Sequence, residues 1–332
     1  MFKLKILVII VFLFLIHQLN PLKTAYFNVW NPKAVQNYEP LALIVNKLKN
    51  NGYTITTTTP PHTVSSTFNF LNKNINLILW SHFDLPPITQ KNQSFLWQLE
   101  SPISIIVPPT EEYKKHFKKI FTYYKPACDN KQIIYTPIPY KYSKIKKNIF
   151  TQQKTSLVSL MNTYSTGYQY DLRNKIIHWF LENHPQDILF YGKNWEPLKN
   201  SLSEKAKPFF DTQYKGPVPD KIETIKYSKF NLAFENERFD HYVTEKIYDA
   251  MAAGSVPVYS GAPNITDYVP KECFIDYHQF NDFGKLYQFL STMDDKTYHS
   301  YLRCINEFMT NPERHPNHYK NVSQKILKEL LK

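Results

Sequence analysis

Short β-branched or apolar runs alternate with segments of helical periodicity along most of this chain. That alternation restricts the fold more than any single motif. Residues 24–30 read as a strand, 41–48 carry apolar residues at helical spacing, and Asn50-Asn51-Gly52 closes that helix before the strand-like 53–59. Residues 76–80 and 94–99 read as buried strands, 111–119 as a basic helix and 120–124 as a further strand. The second half repeats the pattern, with strands over 156–160, 187–191, 230–234 and 255–259 and helices over 171–182 and 244–253. Such alternation in both halves implies two α/β domains with parallel sheets. The expected divisions are an apolar segment over 1–20, one α/β domain over 24–149, a second over 150–310 and an amphipathic helix over 311–332, with lysine-rich 141–154 as linker. In that last helix Ile326, Leu327, Leu330 and Leu331 fall on one side, as in a helix docked on a core.

Glycine and charge narrow the ligand classes. Only 7 of 332 residues are glycine, and none stand in a G-x-G-x-x-G or G-x-x-x-x-G-K-[ST] arrangement, which excludes a dinucleotide fingerprint and a Walker A loop. Hydrophobic residues make up 42% and charged residues 20%, enough for a large core and too apolar for disorder. The net charge of +12 calls for an anionic partner, but it is unevenly placed. Residues 1–50 hold 6 Lys and 1 acid, 111–150 hold 10 Lys and 3 acids, and 151–332 hold 22 positive and 22 negative charges. The basic half shows no nucleic-acid-binding motif, so a nucleic-acid partner is not expected, and an anionic membrane or acceptor is the alternative for that surface.

Met1-Phe2-Lys3-Leu4-Lys5 precedes an unbroken apolar run over 6–16. A cationic start before an apolar run is the pattern of a signal or signal-anchor, here short of the ~20 residues that span a standard bilayer. An uncleaved membrane anchor with a cytoplasmic N-terminus is expected; the other reading is a buried strand. Cys128, Cys273 and Cys304 include no C-x-x-C and allow at most one disulfide. Glycosylation sequons stand at Asn92, Asn264 and Asn321.

Residues 229–261 form the most informative stretch: strand, polar loop, helix, strand. Thr244 suits an N-cap, Gly254 a C-cap, and Ile247, Tyr248 and Met251 an apolar stripe. Glu245 and Lys246 then fall in the first helical turn. A cation there costs about 0.3–1 kcal/mol against the helix dipole, and a bound anion reverses the sign. Helix N-termini at the carboxyl ends of parallel strands are where phosphates bind. Lys246 is therefore either a phosphate ligand or a solvated lysine balanced by Glu245 and Asp249. There is no D-x-D motif and no metal-spaced His/Cys cluster; His315 and His318 have no third ligand near them in sequence.

The order Phe234-Glu235-Asn236, Tyr242-Val243-Thr244-Glu245-Lys246, Ala250, Val256-Pro257-Val258, Gly261 and Tyr268-Val269-Pro270, with Phe274-Ile275 beyond, resembles the donor-site motif of the α-1,3-fucosyltransferases, glycosyltransferase family 10. The resemblance runs over roughly 24–310 and is strongest over 229–277. It implies an α/β fold of the GT-B type, two Rossmann-like domains with parallel sheets facing across a cleft, the first binding the acceptor and the second GDP-fucose. It implies Lys246 on the diphosphate, Glu245 on the ribose hydroxyls, Tyr242 near the guanine, and Asn236 and Glu235 around the fucose. The helix beginning Asp171-Leu172-Arg173 resembles the family helix whose leading arginine binds the diphosphate, which maps onto Arg173. The loop between Asn162 and Arg173 is longer than the family's, and a salt bridge to Asp171 or Glu182 is the competing role. Trp97-Gln98-Leu99-Glu100-Ser101-Pro102 resembles the family's Glu-Ser-Pro element, which makes Glu100 the general base. A capping glutamate is the other reading of that position. Trp30 suits either the acceptor cleft or the core.

The implied reaction is inverting transfer of L-fucose from GDP-β-L-fucose to a glycan hydroxyl, O3 of a GlcNAc or glucose unit, giving an α-1,3-fucoside. Glu100 takes the hydroxyl proton while Arg173 and Lys246 meet the charge of the departing diphosphate. No cofactor or metal is required on this reading, with mild stimulation by divalent cations at most. The partners implied are GDP-fucose, a glycan acceptor and a membrane held by the N-terminal segment. The corresponding location is a single-pass type II membrane protein, in the Golgi of a eukaryote or at the cytoplasmic face of a bacterial inner membrane. Competing functions are an inverting GT-B transferase for another GDP- or UDP-sugar and a non-catalytic glycan-binding module.

Overall fold

The computed structural model describes residues 23–28, 38–58, 75–80, 94–99, 111–140, 151, 153–167 and 169–332. The chain divides into two compact units, Met1–Thr136 with Tyr319–Lys332, and Pro137–His318. The N-terminal apolar segment, Trp30, Glu100, Asn92 and most of the expected linker lie outside the described residues. Among the described residues no helix is long and apolar enough to cross a membrane.

The first unit is built on six parallel strands: β1 (Lys23–Asn28), β2 (Tyr53–Thr58), β3 (Ile75–Trp80), β4 (Ser94–Gln98), β5 (Lys119–Thr122) and β6 (Ile133–Tyr135), in the order β2-β1-β3-β4-β5-β6. All five residues of β4 are buried, as expected of a parallel strand covered on both faces. Helix α1 (Glu39–Asn50) sends Leu41, Ile44, Val45 and Leu48 into this core. The basic helix ends earlier than its sequence reads. Helix α2 (Glu111–His116) stops because Phe117 is buried and the Lys118 N–H donates to the Ser94 carbonyl at 2.7 Å, which starts pairing with the sheet.

The second unit has five parallel strands, β7 (Ser156–Met161), β8 (Ile188–Tyr191), β9 (Ser228–Phe234), β10 (Val256–Ser260) and β11 (Ile275–Asp276), in the order β11-β10-β9-β7-β8. Its helices are α3 (Gln169–Asn183), α4 (Glu196–Lys199), α5 (Lys207–Gln213), α6 (Lys221–Ile225), α7 (Glu245–Ala252), α8 (Phe283–Ser291) and α9 (Asp295–Thr310). Val158, Leu160, Phe230, Leu232, Val256 and Val258 from the strands pack with Ile176 and Ile177 of α3 and Ile247 and Met251 of α7. Helix α7 ends at a Schellman motif. Gly254, at φ +66°, donates to the Met251 carbonyl at 2.9 Å, and Ser255 to Ala250 at 3.0 Å. Strand order reverses at β7, which lies between β8 and β9. In open α/β sheets that reversal opens a crevice at the strands' carboxyl ends.

The C-terminal helix α10 (Tyr319–Leu330) belongs with the first unit. Val322, Ile326, Leu327 and Leu330 are buried, and Ser323 Oγ donates to the Pro40 carbonyl of α1 at 2.8 Å. Leu331, expected on the same stripe, is 45% exposed because it falls just past the helix end.

Cys273 and Cys304 form a disulfide joining the turn Lys271–Cys273 to α9, and Cys128 is free. The bridge closes a sequence separation of 31 residues, for which chain entropy predicts about 3–4 kcal/mol. Cys304→Ser is expected to lower the stability of the second unit by that amount in non-reducing denaturant titrations. Equal midpoints for variant and wild type would reject a stabilising bridge.

Candidate functional site

A pocket of about 380 Å³ lies at the strand-order reversal, at the carboxyl ends of β7 and β9. Met161 ends β7 and Asn162 and Thr163 follow it, Gly192 and Lys193 follow β8, and Asn236 follows β9. Helices contribute Tyr170 and Arg173 from α3, Lys221 from α6, and Glu245 and Lys246 from α7. The floor is a close meeting of two strand ends. A Cβ on Gly192, which sits at φ +122°, would lie 1.8 Å from the Asn162 carbonyl oxygen. That same oxygen accepts from buried Trp195 Nε1 at 2.8 Å, so the approach is locked from both sides.

Arg173 is 2% exposed and reaches across to the end of β9. Its Nε and Nη2 donate to the Phe234 carbonyl at 3.1 and 2.6 Å, and Nη2 also donates to Asn236 Oδ1 at 2.8 Å. The guanidinium lies 5.0 Å over the Tyr170 ring. Burial pulls its pKa below the ordinary arginine value, opposed chiefly by Glu235. The salt bridge that would make Arg173 merely structural is not formed. Asp171 accepts instead from the Gly167 N–H at 3.0 Å, and Glu182 from Ser203.

Lys246 is not a solvated lysine. Its side chain is 13% exposed, and Nζ donates to Glu235 Oε2 at 3.1 Å and Thr244 Oγ1 at 2.9 Å. Burial opposes its charge, but Glu235 and Glu245 more than offset that and hold its pKa above the ordinary lysine value. Thr244 stands at the N-cap position of α7, yet its own side chain caps nothing. Fully buried Glu235 takes that part from outside the helix, accepting from the Thr244 N–H at 2.8 Å and its hydroxyl at 2.6 Å.

Glu245 lines the pocket with 43% of its side chain exposed, and its Oε1 is 3.7 Å from both Lys221 Nζ and Lys246 Nζ. Burial works against its charge, and the two lysines reverse that and bring its pKa to about 2. One helical turn on, Asp249 accepts from the Tyr140 hydroxyl at 2.7 Å and lies 3.7 Å from Lys221. Burial pushes Asp249 up to about 6, with Lys221 and the Tyr140 hydrogen bond opposing and Glu245 reinforcing.

Of the residues the sequence singles out, Arg173, Asn236, Glu245 and Lys246 are brought together on one pocket. Glu235 and Tyr242 do not line it. Glu235 is buried behind Lys246, and Tyr242 is 2% exposed. Glu100 and Trp30 lie outside the described residues, following β4 and β1 in sequence. Tyr170, Gly192, Lys193 and Lys221 line the pocket without having stood out in sequence. The one available signal was Gly192 directly after a β-branched and aromatic strand. Among the described residues no group of three or more His, Cys, Asp or Glu side chains is placed to hold a metal ion.

Two parallel α/β units, the second with cations gathered at its strand-order reversal, match solved structures of GT-B-type glycosyltransferases in fold. A crystal structure of an α1,3-fucosyltransferase with GDP-fucose superposes at a TM-score of 0.57 with 19% identity, covering 94% of this chain and 89% of that one. An α-glucosyltransferase in complex with UDP gives 0.55 with 11% identity, over 93% and 100%. The chain belongs to glycosyltransferase family 10: residues 152–326 match the family described as Glycosyltransferase family 10 (fucosyltransferase) C-term. The 4-galactosyl-N-acetylglucosaminide 3-alpha-L-fucosyltransferase 9 of Bos taurus is 32% identical over 188 residues, 49% of this chain and 52% of the relative. The Homo sapiens protein of the same name is 28% identical over 252 residues, 71% and 60%. The chain thus spans between half and three fifths of the length of these curated relatives.

Two outcomes follow from the buried charges. Glu235→Gln leaves Lys246 buried without its nearest counter-charge, and breaking such a pair costs about 3–5 kcal/mol. Denaturant unfolding is expected to show that loss; an unchanged stability would reject the anchoring role. Asp249 titrates at about 6 in the folded protein against the ordinary 3.8. The folded state therefore holds this proton more tightly than the unfolded chain. The resulting stabilisation is complete below 3.8 and is lost as pH rises through about 6. Asp249→Asn is expected to flatten the stability profile across that window, as read from thermal unfolding at successive pH values. A variant profile parallel to that of wild type would reject the raised value.

Proposed function

We propose that this protein is an inverting α-1,3-fucosyltransferase that moves L-fucose from GDP-β-L-fucose to a glycan hydroxyl. The observation that carries the reading is the convergence of buried Arg173 and Lys246 on the pocket at the β7/β9 reversal. Both are fixed by protein hydrogen bonds before any ligand arrives, which is the arrangement that best stabilises charge developing on a leaving diphosphate. Asn236 orients Arg173 and faces the same space. Glu245, held ionised between two lysines, is suited to accept hydrogen bonds from a ribose diol. Glu100 serves as the base, since a sugar hydroxyl is a poor nucleophile until its proton is taken. The acceptor oxygen attacks the anomeric carbon from the face opposite the diphosphate, which inverts the configuration there. The two cations take the leaving-group work, so no metal is needed on this reading. The names of the relatives point to a 4-galactosyl-N-acetylglucosaminide acceptor and the 3-position of its GlcNAc. The N-terminal segment anchors the enzyme as a type II membrane protein.

The full chain purified in mild detergent is expected to transfer fucose from GDP-fucose to N-acetyllactosamine, with EDTA present, and to leave GDP-mannose and UDP-GlcNAc unused. Turnover with one of those donors and none with GDP-fucose would overturn the donor assignment. Glu100→Gln is expected to cut transfer by about 100- to 10,000-fold while leaving GDP affinity intact. Undiminished transfer would remove Glu100 from the mechanism. Retention of the full chain in the pellet after alkaline carbonate extraction of membranes supports the anchor, and release to the supernatant contradicts it.

A further inference from the structure

The pocket holds a cation that neither the buried anchors nor the sequence motif accounts for. Lys221 opens α6, lines the pocket, and leaves 52% of its side chain exposed. Its Nζ lies 3.7 Å from Glu245 Oε1 and 3.7 Å from Asp249 Oδ2. These two carboxylates are four residues apart on α7 and so share one face of that helix, where like charges repel. Asp249 is fixed by the Tyr140 hydroxyl at 2.7 Å. Glu245 lies between Lys221 on one side and Lys246 on the other. Lys246 is itself committed to Glu235 and Thr244. Lys221 is thus the adjustable member of the set.

We propose that Lys221 is a positioning residue for nucleotide binding: it bridges Glu245 and Asp249 and holds the Glu245 carboxylate turned into the pocket toward the ribose hydroxyls. The bridge works by geometry. At 3.7 Å the ammonium is outside hydrogen-bonding distance of either carboxylate, so Lys221 takes up no lone pair of Glu245 while offsetting the repulsion of Asp249. A lysine hydrogen-bonded directly to Glu245 would compete with the ligand. Asp249 anchors the other end of the bridge, which fixes where along the pocket wall Lys221 can stand. Because it acts through Glu245, its effect should be felt where the ribose binds and not at the diphosphate. This inference rests on the GDP-sugar reading given above.

The test is a double-mutant cycle on the full chain with GDP as probe, read by calorimetry for wild type, Lys221→Met, Glu245→Gln and the pair. Lys221→Met is expected to weaken GDP binding by about two- to fivefold, the range of a partly exposed ion pair, with an unchanged Tm. In the Glu245→Gln background the same change should have no effect. Lys221→Arg, which keeps a cation able to span both carboxylates, should restore wild-type affinity. With 2′,3′-dideoxy-GDP as probe, wild type and Lys221→Met should bind alike. Additive losses in the cycle, an equal loss with the dideoxy nucleotide, or no loss at all would overturn the positioning role. Failure of wild type to bind GDP is a separate result; it removes the GDP-sugar reading and the inference with it.

Discussion

The carboxylate of Glu235 is the contact on which the pocket depends. It is fully buried at the end of β9 and takes hydrogen bonds from the Thr244 N–H, the Thr244 hydroxyl and the Lys246 ammonium. One anion thereby caps α7, fixes the loop that enters it, and sets where the lysine points. Its neighbours in sequence do the same for the arginine, Phe234 through its carbonyl and Asn236 through its side-chain oxygen. Three consecutive residues at one strand end therefore place both cations. The tolerance is small. A Cβ on Gly261 would sit 2.5 Å from Glu235 Cγ, so only glycine leaves room for the carboxylate there.

Burying two cations beside one anion is costly in desolvation, and a buried ion pair is weak evidence for stability alone. On the proposed function its use is preorganisation. Arg173 has five N–H donors and Lys246 three, and the protein engages only part of each set. The remaining donors are held in a partly dry site, where their interaction with an arriving anion is screened less than at the surface. This local arrangement explains how a half of the chain with 22 positive and 22 negative charges can present a cationic pocket. Net charge says nothing about it; position does.

Much of this was legible in sequence, and for identifiable reasons. The alternation of strands and helices is a periodicity signal, so the parallel α/β architecture and the limits of α7 could be read from apolar spacing, Thr244 and Gly254. Arg173, Asn236, Glu245 and Lys246 carried a chemical motif at fixed spacing and do share a pocket. Burial depth was not legible. Glu235 and Tyr242 belong to the same motif, but whether a motif residue faces ligand or supports one that does depends on how the loop after β9 folds back. Lys221 was invisible, and Gly192 showed only as a glycine ending a strand, because the topology, not the sequence, brings α6 and the end of β8 to the same crevice. Leu331 looked like part of the stripe of α10 because periodicity does not show where the last turn ends.

Glycine scarcity, which at first only excludes ligand classes, bears on how the proposed anion recognition would be achieved. A glycine-rich phosphate loop works by exposing consecutive backbone N–H groups, which needs residues without Cβ. This chain spends its glycines differently. Gly192 lets the end of β8 close on the Asn162 carbonyl, and Gly261 lets Glu235 stand beside Lys246. Both positions bring backbone or side chains together beneath the site instead of presenting amides to it. The N–H of Thr244, which a bound anion at the start of α7 could otherwise use, is taken by Glu235. On the proposed function recognition is left to side-chain cations whose positions are set by hydrogen bonds, and a guanidinium and an ammonium differ in what they offer. Arg173 brings a planar fork fixed edge-on by the end of β9, whereas Lys246 brings a point charge held over the helix start. Exchanging the two types would keep the charge and lose the fit. The identity of each cation, and not their sum, is therefore what the fold around β9 is built to hold.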